Sequence, residues 1–146
     1  MEKFIGIKII KAIKCTAWNT FGKYTVGAKG YKVGYPNADG IFDGELEGGC
    51  HYIAWCPTDV FEKAYKKTDN ITFGLAIEAI KKGLKVARKG WNGKNMWLML
   101  IPAGNAMFQG HNMQDCIGMK TAQNEMQPGW LASQADMLAE DWLIIE

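Results

Sequence analysis

The chain has 146 residues, of which 48% are hydrophobic and 22% charged, a composition typical of a folded protein rather than a disordered one. Seventeen basic and fifteen acidic residues leave a net charge of +2, which argues against a protein that coats DNA through a strong basic excess. The longest membrane-like apolar run, residues 96–101, is far too short to span a bilayer, and the N-terminus lacks the apolar core of a secretion signal. We therefore expect a cytosolic protein with no membrane partner.

Composition divides the chain at the polar run 66–70, which offers no apolar side chain for burial. All five tyrosines precede this run, and four of the six tryptophans follow it. We predict an α+β fold of two compact units, residues 1–70 and 71–146, each built from a small antiparallel sheet and short helices. Units this small bury little surface alone, so we expect them to pack together, to self-associate, or both.

The first unit is predicted to be β-rich, because short apolar stretches alternate with glycine-containing turns. The predicted strands cover residues 4–12, 31–35 and 51–55. A helix is predicted to begin at Cys56-Pro57, since proline suits the first helical position, and its apolar face comprises Val60, Phe61, Ala64 and Tyr65. Nothing in this unit indicates chemistry, and we interpret it as a small β unit closed by a helix.

The second unit is predicted to begin with a helix from the N-cap Thr72 to Lys82, ended by Gly83 at the left-handed position. Its helical face is apolar at the i, i+3, i+4 and i+7 spacing. Strands at 85–88 and 96–101 form a hairpin around the Asn-Gly pair at 92–93. The remaining predictions are a long loop at 102–118, a strand at 118–122, a short helix opening at 133–136 and a final strand at 142–145.

The four cysteines, at positions 15, 50, 56 and 116, form no CxxC pair, and we interpret them as reduced thiols. A zinc site would have to combine Cys50, His51 and Cys56 with either His111 or Cys116, and this spacing matches no standard zinc module. We therefore expect neither a metal nor a cofactor. Catalytic residues are not expected either, because the two histidines lie in different halves and no nucleophile, phosphate-binding or metalloprotease motif occurs.

One group of candidate ligand-binding residues lies around the predicted hairpin. Arg88 is the single arginine of the chain, and its planar fork suits phosphate or carboxylate. Trp91 offers a face on which a base can stack, and Asn92 can both donate to and accept from a base or ribose. The alternative is structural: Arg88 flanks a surface hairpin, Trp91 caps the core and Asn92 makes the turn.

A second group lies at the predicted short helix. Ser133 and Asp136 match the S-x-x-D capping arrangement, which explains both residues without any ligand. The same helix start can also present N–H groups to an anion, with Gln134 and Asp136 placed to contact ribose hydroxyls. Trp130 just before it can stack on a base or belong to the core.

Three stretches in residues 71–146 resemble the Thoeris anti-defence two family of small phage proteins, in the same order along the chain. They are the helix at 71–83, the turn at 86–94 with Arg-Lys-Gly-Trp-Asn-Gly-Lys, and the segment 128–142 beginning Pro-Gly-Trp-Leu-Ala-Ser. The resemblance implies a sponge that binds a cyclic ADP-ribose immune signal, glycocyclic ADP-ribose, without cleaving it and thereby keeps the Thoeris effector inactive. It also implies a homotetramer or homodimer with pockets between subunits, working in the cytoplasm of the infected bacterial host.

Carried onto this sequence, the resemblance assigns ligand binding to eight residues: Arg88, Trp91, Asn92, Trp97, Trp130, Ser133, Gln134 and Asp136. Three alternatives stay open. The first is a chain that sequesters cyclic di- or trinucleotides, and the second is a chain that is itself an enzyme degrading such a signal, with Asp136 as its best acid or base. The third is a single-stranded nucleic-acid binder built on Trp91, Trp97, Lys89 and Lys94, which the near-neutral charge disfavours, so no nucleic-acid partner is expected.

Residues 1–70 fall outside this resemblance. They are similar instead to a short unit of unknown activity found in phage proteins, through the stretches 8–12 and 55–65.

Overall fold

The computed structural model describes residues 8–36, 52–91, 95–104 and 107–145. The chain divides into two compact units between Lys66 and Lys67, at the start of the polar run. We call the part before this division unit 1 and the part after it unit 2. In the described part of the chain, no helix is both long and apolar enough to cross a membrane.

Unit 1 is a three-stranded antiparallel sheet of order β1-β2-β3 followed by helix α1. The elements are β1 (Lys11–Thr16), β2 (Lys29–Tyr35), β3 (Tyr52–Pro57) and α1 (Thr58–Ala64). The helix packs on β2, where the rings of Phe61 and Tyr31 stack with centroids 3.9 Å apart. The second and third predicted strands and the helix are confirmed, with Pro57 as the N-cap residue rather than the first helical one.

The first predicted strand was placed too early. Residues 8–10 lie before β1, so the prediction at 4–12 overlaps the observed strand only at Lys11 and Ala12, and residues 4–7 lie outside the described ones. The hydrophobic run at 9–10 favoured this placement. Pairing with β2 instead begins at Lys11 and runs on to Thr16.

The connection between β1 and β2 covers a tryptophan of β3. The Trp55 side chain is 7% exposed and lies so close to Gly30 that a Cβ there would come within 2.5 Å of its ring and of the Cys56 carbonyl oxygen. From the connection, Phe21 stacks on Trp55 at 5.3 Å and Tyr24 approaches it edge-on. These aromatic contacts fix the 17–28 loop on the sheet.

Unit 2 begins with helix α2 (Phe73–Lys81), whose N-cap Thr72 accepts a hydrogen bond from the Leu75 amide and whose end is followed by Gly83 at φ +80°. Five strands form an antiparallel sheet of order β10-β4-β5-β8-β9. These strands are β4 (Lys85–Arg88), β5 (Trp97–Ile101), β8 (Cys116–Lys120), β9 (Met126–Pro128) and β10 (Trp142–Ile145). The predicted helix, the β4–β5 pairing and the final strand are confirmed, as is the short helix α3 (Gln134–Met137).

Helix α2 covers one face of this sheet and creates the core of unit 2. The core combines residues of the helix, of three strands and of the segment before the helix: Ile71, Ala76, Ala79, Ile80, Val86, Leu98 and Trp142. Trp142 is fully buried, so the start of β10 is anchored at the core.

The segment 102–118 is not the structureless loop that its Gly, Asn and Gln content predicted. It contains a two-stranded hairpin, β6 (Met107–Phe108) and β7 (His111–Asn112), and β8 already begins at Cys116. Gln109 and Gly110 connect the hairpin with φ of 50° and 81°, a turn geometry more often signalled by Asn-Gly. Strand β9 was missed as well, because three exposed residues carry no periodic pattern.

Candidate ligand-binding site

Arg88 joins the end of β4 to two acidic residues that lie far away in sequence. Its Nη1 donates to Asp136 Oδ1 at 2.8 Å, and its Nε donates to Asp141 Oδ1 at the same distance. A longer contact of 3.4 Å joins Nη2 to Asp141 Oδ2. The three side chains are only 14% to 33% exposed, so their attraction is screened less than that of a surface pair.

Asp136 also closes the capping box of α3. The Ser133 hydroxyl accepts a hydrogen bond from the Asp136 amide, and the Ser133 amide donates to Asp136 Oδ2. A third contact of 2.6 Å joins the Ser133 hydroxyl to the same carboxylate oxygen. The prediction that these two residues cap a short helix is therefore confirmed, and Asp136 additionally binds Arg88.

The surroundings lower the pKa of both carboxyl groups from its ordinary value. Partial burial acts to raise the pKa of Asp136, but hydrogen bonds from Ser133 and Arg88, with a smaller one from Trp91, outweigh it and lower the pKa. Hydrogen bonding to Arg88 is the main cause that lowers the pKa of Asp141. The two carboxylates in turn raise the pKa of Arg88. The group therefore carries one positive and two negative charges at neutral pH.

Three tryptophans meet beside these charges. Trp91, Trp130 and the buried Trp142 contact one another, with ring centroids between 5.5 and 6.2 Å apart and steep interplanar angles. The indole N–H of Trp142 donates to the Asp136 carbonyl oxygen at 3.0 Å, which ties this aromatic cluster to α3. Trp91 and Trp130 remain partly exposed. A planar ligand group can therefore reach their rings next to the Asp136 carboxylate.

The structure brings together five of the eight sequence-predicted residues: Arg88, Trp91, Trp130, Ser133 and Asp136. Gln134 is exposed at the start of α3, close along the chain to Ser133. Asn92 lies outside the described residues.

Trp97 is separated from the others by the sheet. Val86 pairs with Leu98, and both are buried on the helix-covered face. Because side chains alternate along a strand, Arg88 shares that face and Trp97 points to the opposite one. There Trp97 contacts Lys85, whose Nζ lies 5.0 Å from the ring centroid.

Sequence reasoning missed two members of the site. Asp141 was not among the candidate residues, and Trp142 was predicted only as part of the final strand. The available signal was the single arginine of the chain, whose guanidinium pairs well with carboxylates. Residues 71–146 contain seven acidic residues, and only the fold shows which of them pair with Arg88.

The described residues contain no group of three or more His, Cys, Asp and Glu side chains that could hold a metal ion. Cys15, Cys56 and Cys116 are free thiols. Cys50 and His51 of the considered zinc site lie outside the described residues.

Comparison with known proteins places this site within a known domain. Residues 71–145 match the family model described as the Thoeris anti-defense 2-like domain. The chain is also similar to Thoeris anti-defense 2 of Bacillus phage SP01, with 39% identity over 85 residues, covering 51% of this chain and 94% of that protein. The resemblance identified in residues 71–146 is thus confirmed, and the chain belongs through this unit to the Thoeris anti-defense 2-like family.

Proposed function

We propose that unit 2 binds and sequesters a cyclic ADP-ribose immune signal, glycocyclic ADP-ribose, without cleaving it, so that the Thoeris effector is never activated. The observation that carries this proposal is the juxtaposition of a partly exposed tryptophan pair with the hydrogen-bonded Ser133–Asp136 pair in a domain of an anti-defence family.

The aromatic part of the site binds the adenine ring by stacking. Trp91 and Trp130 are braced from behind by the buried Trp142, so their orientation is set before a ligand arrives. Stacking of a base on such a ring contributes about 1–3 kcal/mol. Preorganisation reduces the ordering cost of binding, which a sponge needs because it competes with a receptor.

The polar part of the site is better suited to ribose than to phosphate. Three of the five N–H donors of Arg88 already bind Asp136 and Asp141, and the three charges sum to −1. A ribose hydroxyl can donate to the Asp136 carboxylate in place of the Ser133 hydroxyl that now occupies it, while net negative charge repels a diphosphate. We therefore assign Asp136 and Ser133 to hydroxyls, and the exposed neighbour Lys89 to the phosphates.

The same charges favour sequestration over cleavage. Cleavage of a glycosidic or phosphate bond needs a group that exchanges a proton near neutral pH. Asp136 and Asp141 both have a lowered pKa and are held ionised by Arg88. Neither is therefore poised to act as a general acid, and the site contains no histidine among its described residues.

We also propose that the chain assembles as a homotetramer or homodimer through the surface around α3. Leu131 is 90% exposed and Leu138 82% exposed, and Met137 is 46% exposed on the helix between them. Contiguous exposed apolar side chains are typical of an interaction surface. A second copy seated there would lie next to Trp130 and would close the site from outside.

The test is isothermal titration of the full chain with glycocyclic ADP-ribose isomers, cyclic di- and trinucleotides, ADP-ribose and NAD. We expect nanomolar binding of a cyclic ADP-ribose, about −12 kcal/mol, and recovery of intact ligand after heat denaturation of the complex. Preferential binding of a cyclic di- or trinucleotide would instead identify the other signal class. Cleaved product would refute sequestration.

Two tryptophan variants make a matched pair for this titration. Trp91→Ala should weaken binding by about 5-fold to 150-fold, the value of one stacked base. Trp97→Ala removes the same ring from the other face of the sheet and should leave the affinity unchanged. Equal effects of both variants would place the ligand elsewhere.

Light scattering tests the proposed assembly. The substitutions Leu131→Ser and Leu138→Ser should lower the measured mass of the oligomer.

A further inference from the structure

The chain leaves β4 through a turn that ends at Trp91. The strand stops at Arg88, and the Trp91 amide donates to the Arg88 carbonyl oxygen at 3.3 Å, which closes the turn over Lys89 and Gly90. The two residues that we assign to the base and the phosphates of the ligand, Trp91 and Lys89, both lie on this turn. The conformation of the turn therefore sets the position of both side chains.

Asp141, the residue just before β10, binds three successive residues of this turn. Its carboxylate accepts hydrogen bonds from Arg88 Nε at 2.8 Å and from the Gly90 amide at 3.3 Å. Its backbone carbonyl oxygen accepts a hydrogen bond from the Lys89 amide at 3.2 Å. A Cβ at Gly90 would lie 3.3 Å from Asp141 Oδ2, so the turn passes directly against the carboxylate. One residue thus holds the turn through both its side chain and its backbone.

The residue after Asp141 supports the Trp91 ring itself. Trp142 is fully buried and contacts the ring of Trp91 edge-on, with centroids 5.5 Å apart. The Asp141 carboxylate therefore fixes the backbone just before Trp91, and its neighbour Trp142 braces the side chain.

We propose, on the basis of the function assigned to unit 2 above, that Asp141 is a positioning residue, whose carboxylate holds the turn so that the Trp91 ring is placed for a base to stack on it. Asp141 acts through the turn and not by contact with the ligand. Its charge alone has the opposite effect on affinity, because a carboxylate near the site repels a ligand that carries a diphosphate. Neutralising Asp141 therefore weakens binding through geometry and strengthens it through charge, so the sign of the change separates the two.

The experiment is titration of Asp141→Asn in the full chain with glycocyclic ADP-ribose. We expect the affinity to fall by about 3-fold to 30-fold, less than in Trp91→Ala, because the ring is displaced rather than removed. The matched control Glu140→Gln removes the same charge from the exposed preceding residue and should not weaken binding. Unchanged or raised affinity in Asp141→Asn, beside a loss in Trp91→Ala, would overturn the positioning role and leave the proposed function standing. Absence of binding by the unmodified chain would instead refute the proposed function.

A double-mutant cycle tests whether Asp141 acts through Trp91. Added to Trp91→Ala, the substitution Asp141→Asn should lower the affinity by less than about 2-fold. A residue that only stabilised the fold, or that acted through Asp136, would cause the same loss in both backgrounds. Equal losses would therefore contradict the positioning role.

Gly90→Ala is a second variant, and it retains both ion pairs of Arg88. Its added Cβ lies 3.3 Å from Asp141 Oδ2 and should push the turn away from the carboxylate, with a loss of affinity of about 2-fold to 10-fold. Because the charges of the site are unchanged, this loss can only come from the geometry of the turn. Unchanged affinity in Gly90→Ala would count against the proposal.

The position of Trp91 also has a readout that needs no ligand. In proton–nitrogen NMR spectra, the indole N–H resonance of Trp91 is identified by its loss in Trp91→Ala. It should shift in Asp141→Asn, whereas the resonance of Trp97, on the other face of the sheet, should stay in place. A Trp91 resonance that does not move would overturn the proposal whatever the ligand of unit 2 is.

Discussion

Replacing Arg88 by glutamine should destabilise unit 2 far more than removal of an ordinary surface ion pair. The substitution leaves Asp136 and Asp141 close together without the cation that lies between them. Loss of one partner costs about 3–5 kcal/mol in a fully buried pair and about 0–1 kcal/mol in an exposed one. Since these side chains are 14% to 33% exposed, we expect a loss of about 2–3 kcal/mol.

The assay is urea unfolding of the full chain, with hydrogen exchange of unit 2 peptides to assign the transition. A loss of this size corresponds to a fall in Tm of roughly 10–20 °C for a unit of about 80 residues. The matched control is Lys81→Gln, which removes a 2.9 Å pair with Glu78 whose side chains are 64% and 35% exposed. It should cost less than about 0.5 kcal/mol. If Arg88→Gln lowers the free energy of unfolding by no more than this control, the ion pairs of Arg88 with Asp136 and Asp141 do not hold α3 and β10 to β4.

Three further predictions concern acid stability, helix capping and backbone packing. The lowered pKa values of Asp136 and Asp141 stabilise the fold fully above their unfolded pKa of about 3.9. That contribution is lost as the pH falls through the pKa values of the two groups in the folded state. The midpoint urea concentration of unfolding should therefore fall less between pH 7 and pH 2 in Arg88→Gln than in the unmodified chain. Ser133→Ala should cost about 1 kcal/mol of urea-measured stability through loss of the cap, and no loss would contradict that role. Gly30→Ala should destabilise unit 1 by about 1–3 kcal/mol, since the added Cβ meets the Cys56 carbonyl oxygen and the Trp55 ring. Gly118→Ala should destabilise unit 2 less, because its Cβ meets the end of the flexible Ile101 side chain.

The local features of the fold were predictable because their causes are local. Thr72 and Ser133 cap their helices as the sequence patterns indicate, and the spacing of apolar residues after Thr72 identifies the buried face of α2. By contrast, the Arg88–Asp141 contact joins residues 53 positions apart, and no spacing rule connects them. It exists because β10 pairs with β4 in one particular register.

The position of Trp97 illustrates a second limit. Its residue type suits a ligand site, and it lies only nine residues after Arg88 in the sequence. Which face of the sheet it occupies depends on the pairing of Val86 with Leu98, and a shift of one residue would reverse that face. Tertiary register, rather than propensity, therefore decides which predicted residues share a site.

The mutual contacts of Trp91, Trp130 and Trp142 also give unit 2 an intrinsic optical signal. Indoles held 5.5 to 6.2 Å apart at fixed angles lie in a rigid, asymmetric environment. Aromatic rings in such an environment give a near-ultraviolet circular dichroism band that is lost on unfolding. Trp142 is fully buried, while its two neighbours are partly open to solvent. A ligand stacked on the open rings would change this band without any attached dye. Occupancy of the site can thus be followed spectroscopically in the unmodified chain.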